Sequence, residues 1–240
     1  KKVEYILSRE KYDFYDLCAI MEILRGEGGC PWDTEQTHES IRKNFIEETY
    51  EVIEAIDKKD AELLREELGD VMLQVVFHTQ MEKELGNFNI DDVANDVCVK
   101  LIHRRPHIFG KVTAGTSEEV LSNWEAIKNE EKKRKTMYDR LSSIPPMTPA
   151  LMRAAKVAKK SGEYDSSSKN DIIINIKSAL SSLEEDPGSI SDDKIGELLF
   201  SISALSSKCG IEPEEALFKH TNAFIEHFTF FKKRFVVCHN

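Results

Sequence analysis

The sequence predicts an all-α protein held together by bundle packing, and three observations lead there. Apolar residues recur at spacings of three and four through successive segments. Nowhere does a stretch alternate apolar and polar residues at period two. Glycine, proline and serine clusters cut the chain into pieces of helical length. At 240 residues, 40% hydrophobic and 32% charged, the chain has material for one or two domains and a sizeable core.

The elements follow in order. Residues 12–25 read as an amphipathic helix carrying Phe14, Leu17, Ile20, Met21 and Leu24, ended by Gly26, Gly28 and Gly29. Cys30-Pro31-Trp32-Asp33 opens a loop. A helix starting near Ser40 carries Glu47, Glu48 and Glu51, with Glu47 and Glu54 opposite Ile46, Ile53 and Ile56. After the polar break at Lys58-Lys59-Asp60, Asp60 is placed to cap a second helix that runs to about Glu84. A helix over 90–104 places Lys100, His103 and Arg104 on one side and is ended by Pro106. Ser117 is placed to cap a helix through Trp124, Lys128 and Lys135. Residues 136–170 form a Pro- and Ser-rich connector with one short helix, 151–160. The remainder gives helices over 171–184, 192–208 and 213–235.

The two helices on either side of Lys59 carry the chemistry. Glu48 and Glu51 are i,i+3 neighbours, as are Glu67 and Asp70. Glu67, Asp70 and Gln74 share a narrow stripe on a helix otherwise apolar almost all round, which is the pattern of a buried helix. Buried carboxylates need positive compensation. Four of them facing one cavity suit a hard divalent ion, Mg²⁺ first. The plain reading of each acidic pair alone is a solvated face. Gln74 on the same stripe, and Gly69 mid-helix, which implies close approach by another backbone or a ligand, favour the metal cluster.

Charge and cysteine usage exclude several classes. A net charge of −10 argues against sequence-independent nucleic-acid binding. Five scattered cysteines without a C-x-x-C fit free thiols in a reducing compartment. No apolar run reaches membrane-spanning length and the first residues lack a signal-peptide pattern, so the expected location is the cytoplasm. Glu35-x-x-His38 resembles half of a di-iron signature, but it is expected once and in a loop. His103 and His107 are separated by Pro106 and share no regular helical face.

Gly29-Cys30-Pro31-Trp32-Asp33-Thr34-Glu35-Gln36-Thr37-His38, Glu47-Glu48-Thr49-Tyr50-Glu51, Glu67-Leu68-Gly69-Asp70 with Gln74-Val75-Val76-Phe77, and Trp124-Glu125-Ala126-Ile127-Lys128 together closely resemble the MazG family of nucleoside triphosphate pyrophosphohydrolases. The resemblance is dense to about residue 160 and weak beyond. It implies that Glu48, Glu51, Glu67 and Asp70 bind Mg²⁺ and that Glu47 is the extra acid beside them. Glu47 or Glu48 orients or deprotonates the attacking water. Lys100, His103 and Arg104 stand where the family places basic phosphate contacts, although two arginines are more usual there and Arg105-Pro106-His107 departs from the pattern. Trp124 and Lys128 stand at its nucleotide contact; from the residues alone, Trp124 fills the core as readily as it stacks on a base.

The implied activity is Mg²⁺-dependent hydrolysis of ribo- or deoxynucleoside triphosphates to monophosphate and pyrophosphate, a house-cleaning of the nucleotide pool. Rival readings are a dUTP- or dCTP-specific pyrophosphatase, a phosphoribosyl-ATP pyrophosphohydrolase, or a non-catalytic nucleotide-binding helical scaffold. Longer family members carry the module twice, and Lys194-Ile195-Gly196-Glu197-Leu198-Leu199-Phe200 echoes Glu67 to Leu73. There Lys194 stands at the first metal position, and Ile172 to Leu183 contains no Glu or Asp. Basic residues are missing at Ala223 and Glu226, with His227 beside them. The expected organisation is thus an intact first repeat (1–135), a connector (136–170) and a degenerate second repeat (171–240). One repeat has too few long helices to enclose its acidic pair, so a homodimer is expected to complete the bundle.

Overall fold

The computed structural model describes residues 2–131, 136–164, 167–185, 188 and 190–236, with 228–236 as backbone alone. These form thirteen helices and no strand: α1 (Lys2–Leu7), α2 (Phe14–Arg25), α3 (Pro31–Glu35), α4 (His38–Lys58), α5 (Ala61–Glu84), α6 (Ile90–His103), α7 (Pro106–Phe109), α8 (Ser117–Glu131), α9 (Met137–Ser142), α10 (Ala150–Ser161), α11 (Lys169–Glu185), α12 (Asp192–Lys208) and α13 (Pro213–Val236). The all-α expectation holds. The chain divides into two compact units, residues 1–120 and 121–240. The expected Lys132 to Lys135 end of α8, and Cys238, fall outside the described residues.

In the first unit α4 and α5 form an antiparallel hairpin, α2 packs on one side of α5, and α6 also packs on α5. Local chemistry sets the hairpin's limits. The Thr37 side chain accepts from Ser40 N–H while the Ser40 hydroxyl accepts from Thr37 N–H, a capping box that starts α4 two residues before the expected Ser40. Lys59 ends it in the left-handed region at φ 54°, and Asp60 immediately caps α5 by accepting from the N–H groups of Glu62 and Leu63. So short a turn fixes which α4 residues oppose which α5 residues.

The core between α2, α4 and α5 is Met21, Ile41, Val76, Phe77 and Met81, with Leu17, Cys18 and Leu73 against it. Four short helices were not expected: α1, α3, α7 and α9. The Cys30-Pro31-Trp32-Asp33 loop is in fact the start of α3, with Pro31 in its first turn, where the missing N–H costs nothing. Arg25 locks that segment down. Its guanidinium donates to the Asp33 and Gln36 carbonyls and forks onto Glu84 at 2.8 and 2.9 Å. The same group lies 5.3 Å from the centre of the Phe77 ring. The helix cap before Trp124 also shifts by one residue. Thr116, not Ser117, accepts the Glu119 N–H, and the Glu119 carboxylate takes the Gly115 N–H.

The second unit repeats the first unit's order of pairing: α10 and α11 both pack on α12, and α12 on α13. Ala155, Ala158, Ile172, Leu198 and Ala204 are its buried apolar residues. Glu214 caps α10 from a distance, its carboxylate accepting the Leu151 N–H at 3.1 Å.

Candidate metal and nucleotide site

The α4–α5 hairpin brings the acidic pairs together. One carboxylate oxygen each from Glu48, Glu67 and Asp70 lies within 4.8 Å of the others, the only such group of potential metal-ligating side chains among the described residues. Glu51 is not in that group, but it is near enough for its charge to raise the carboxyls of both Glu48 and Glu67. Glu67 is buried at 9% exposure, Glu48 and Asp70 are half-buried, and Glu51 and Glu47 are exposed. Burial, followed by the charges of Asp70 and Glu51, pushes the Glu48 carboxyl up. Burial and Glu51 do the same to Glu67. These acidic groups are crowded against one another and raise each other's carboxyls, so the donor set fits a hard divalent ion.

Beyond the cluster, Gln74 is 6% exposed and its amide oxygen is buried with no hydrogen-bond partner. At Gly69 a Cβ would meet nothing within 4 Å, so no described part of the chain makes the expected close approach, and the space is open to a ligand or a second copy. The helix around it is not fully buried either. Leu68 and Met72 are 49% and 43% exposed, and Ile46, Tyr50, Ile53 and Ile56 on α4 are exposed as well. The apolar periodicity that predicts a buried helix is real, but this face is left exposed by the described residues of the first unit.

Of the basic residues, Lys100 and His103 are exposed on α6 and Arg104 is buried at its C-cap. Trp124 and Lys128 are half-buried on α8 in the second unit, the ammonium 4.4 Å from the indole centre.

Residues 36–109 match the MazG nucleotide pyrophosphohydrolase domain. The nucleoside triphosphate pyrophosphohydrolase/pyrophosphatase MazG of Thermotoga maritima is 43% identical over 219 residues, spanning 90% of this chain and 84% of that protein. This chain belongs to the MazG family. The Escherichia coli (strain K12) nucleoside triphosphate pyrophosphohydrolase is 38% identical over 221 residues, 88% of this chain and 84% of its own length. An uncharacterized Bacillus subtilis protein, YabN, is 45% identical over 148 residues, 62% of this chain and 30% of that protein.

One group in the MazG domain escaped the sequence reading. His38, dismissed there as a loop residue, is the first residue of α4, and its Nδ1 lies 2.7 Å from Nδ1 of His78 on α5. Its Nε2 lies 2.7 Å from Glu82, whose other oxygen accepts from Asn87. Asn87 and then His38 hold the Glu82 carboxyl below its usual range. Burial pushes the His78 imidazole down. Their only advance signal was that His78 and Glu82 continue α5 at four-residue steps from Asp70 and Gln74.

Proposed function

We propose that this chain is a nucleoside triphosphate pyrophosphohydrolase that cleaves the bond between the α and β phosphates, with Glu48, Glu51, Glu67 and Asp70 holding Mg²⁺. The observation that carries the reading is the convergence of Glu48, Glu67 and Asp70 inside a MazG-family domain. When bound, the metal supplies neutralisation of the polyphosphate and a more acidic water. The chain's own residues do the rest. Glu47 or Glu48 orients the water or takes its proton. Lys100, His103 and Arg104 meet the phosphate oxygens, and Trp124 with Lys128 adds an aromatic–cation contact to the nucleotide.

The uncovered apolar stripe of Ile46, Tyr50, Ile53, Leu68 and Met72 supports a homodimer that completes the bundle. The second unit is then a degenerate repeat: Lys194 stands at the first metal position of α12, and Ile172 to Leu183 of α11 contains no Glu or Asp.

Product analysis over a triphosphate panel tests the reading. Pyrophosphate and monophosphate appear only with Mg²⁺, and Glu48→Gln or Asp70→Asn lowers kcat/KM by about 100-fold or more, the scale of a disrupted metal site. Release of orthophosphate, turnover without a divalent ion, or saturable nucleotide binding with no product overturns it.

A further inference from the structure

The first unit contains an open pocket of about 600 Å³ whose lining includes His38, Phe45, Val75, His78, Glu82 and Phe88. Its size is within the range of small-ligand sites, and its walls are apolar and aromatic with a few polar groups. Its α4 and α5 walls belong to the two helices that carry the carboxylate cluster, and Phe88 with Val93 of α6 completes it. Phe45 precedes Glu48 by one turn of α4, and His78 follows Asp70 by two turns of α5, about 12 Å along the axis.

We propose that this pocket receives the nucleobase of the triphosphate, and that His78, held as a hydrogen-bond acceptor by His38 and Glu82, selects bases carrying an exocyclic amino group. The proposal rests on the pyrophosphohydrolase reading and extends it to the substrate's base.

The relay sets the proton positions. The two imidazoles are coplanar within 3°, with centroids 5.0 Å and Nδ1 atoms 2.7 Å apart. The difference is close to twice a ring's centre-to-nitrogen distance, so the two Nδ1 atoms lie on the line joining the centroids. The lone-pair directions therefore point at each other. That is an N–H···N hydrogen bond; a shared metal would need them to converge on a third point. Glu82 is an anion and only accepts, so His38 donates to it through Nε2–H. In a neutral His38 the Nδ1 then accepts, and the proton between the rings belongs to His78. His78 is left with an unprotonated Nε2, an acceptor on the remaining edge of a pocket-lining ring.

Gln74 supplies a second, independent observation. It is four residues after Asp70 and four before His78, on one stripe, and its buried amide oxygen has no partner. Gln74 does not line the pocket, but a rotation that brings this oxygen to the surface between Asp70 and His78 would let a sugar hydroxyl satisfy it. Carboxylates, lone amide oxygen and aromatic slot thus follow the order phosphate, sugar, base.

The test is steady-state kinetics on the full chain with Mg²⁺ at about pH 8.5, where imidazoles are neutral. ATP is compared with ITP and CTP with UTP, and inorganic tripolyphosphate serves as a competitive inhibitor that has no base. Expected is a preference of ~3- to 10-fold for ATP and CTP, the worth of one net hydrogen bond. His78→Phe brings both ratios to about one while the tripolyphosphate inhibition constant stays put. Phe88→Ala, at an exposed wall position, raises KM for all four nucleotides. Equal ratios in the wild type, ratios that survive His78→Phe, an unchanged KM in Phe88→Ala, or selectivity that follows Trp124→Ala instead overturns the proposal. If the wild type turns over no triphosphate, the function reading fails separately. The pocket is then judged by NMR titration with adenosine and inosine. Adenosine-selective shifts at Val75, Thr79 and Val93 sustain it, and their absence overturns it.

Discussion

Glu67 shows at the level of one side chain what burying a carboxylate among other carboxylates costs. Its folded-state carboxyl is pushed above the ordinary value, first by burial and then by Glu51. Between the unfolded and folded pKa values the native state binds a proton that the unfolded state has released. The penalty therefore grows as pH rises through that window and is complete above the folded pKa. Without divalent ions, Glu67→Gln is expected to melt higher than wild type at pH 7.5, and the gap should close toward pH 4.5. Adding Mg²⁺ should raise the wild-type Tm and move the variant much less, which differential scanning calorimetry will read directly. Glu84 has the opposite sign. Burial works against its charge, but the Arg25 fork and Gln80 outweigh it and hold the carboxyl low. That stabilisation is present above the unfolded carboxylate range and is lost as pH falls through the depressed value.

At the level of elements, Arg25 is the fastening of α3 to the hairpin. Its side chain is 7% exposed and ties Asp33, Gln36 and Glu84 together. Arg25→Ala should cost about 2 kcal/mol, the worth of lost charge-assisted hydrogen bonds with partners left behind. It should also open the Cys30 to Gln36 segment to proteolysis before the rest of the unit unfolds. None of this was visible in the sequence, because Arg25 and Glu84 are 59 residues apart and neither belongs to a periodic pattern. The same holds for His38 and His78, 40 residues apart. By contrast, Glu48, Glu67, Asp70 and the limits of α5 were legible. Helical spacing puts each pair on one face, Asp60 marks the start, and the turn is too short to permit another register. The missed helices α1, α3, α7 and α9 have six residues or fewer, too short for periodicity to show.

For the molecule as a whole, the open space at Gly69 separates two outcomes. Within one chain a Cβ there meets nothing, so Gly69→Ala should stabilise an isolated α5 by about 1 kcal/mol through helix propensity. If a second copy packs its backbone against the Leu68–Met72 stripe, as the dimer proposal has it, Gly69→Leu should shift the mass from dimer toward monomer. Light scattering at micromolar concentration will show which. An unchanged mass with Gly69→Leu removes that face from the interface.

The hairpin has one more consequence, in time and not in space. All four ligand candidates lie between Glu48 and Asp70, joined by the turn at Lys59 and Asp60, so their mutual repulsion must be overcome as soon as those two helices close on each other. Local closures of this kind are early events. A divalent ion should therefore speed refolding in stopped-flow traces, with the acceleration abolished by Asp70→Asn, whereas an ion that engaged only the finished protein would act on the unfolding limb alone.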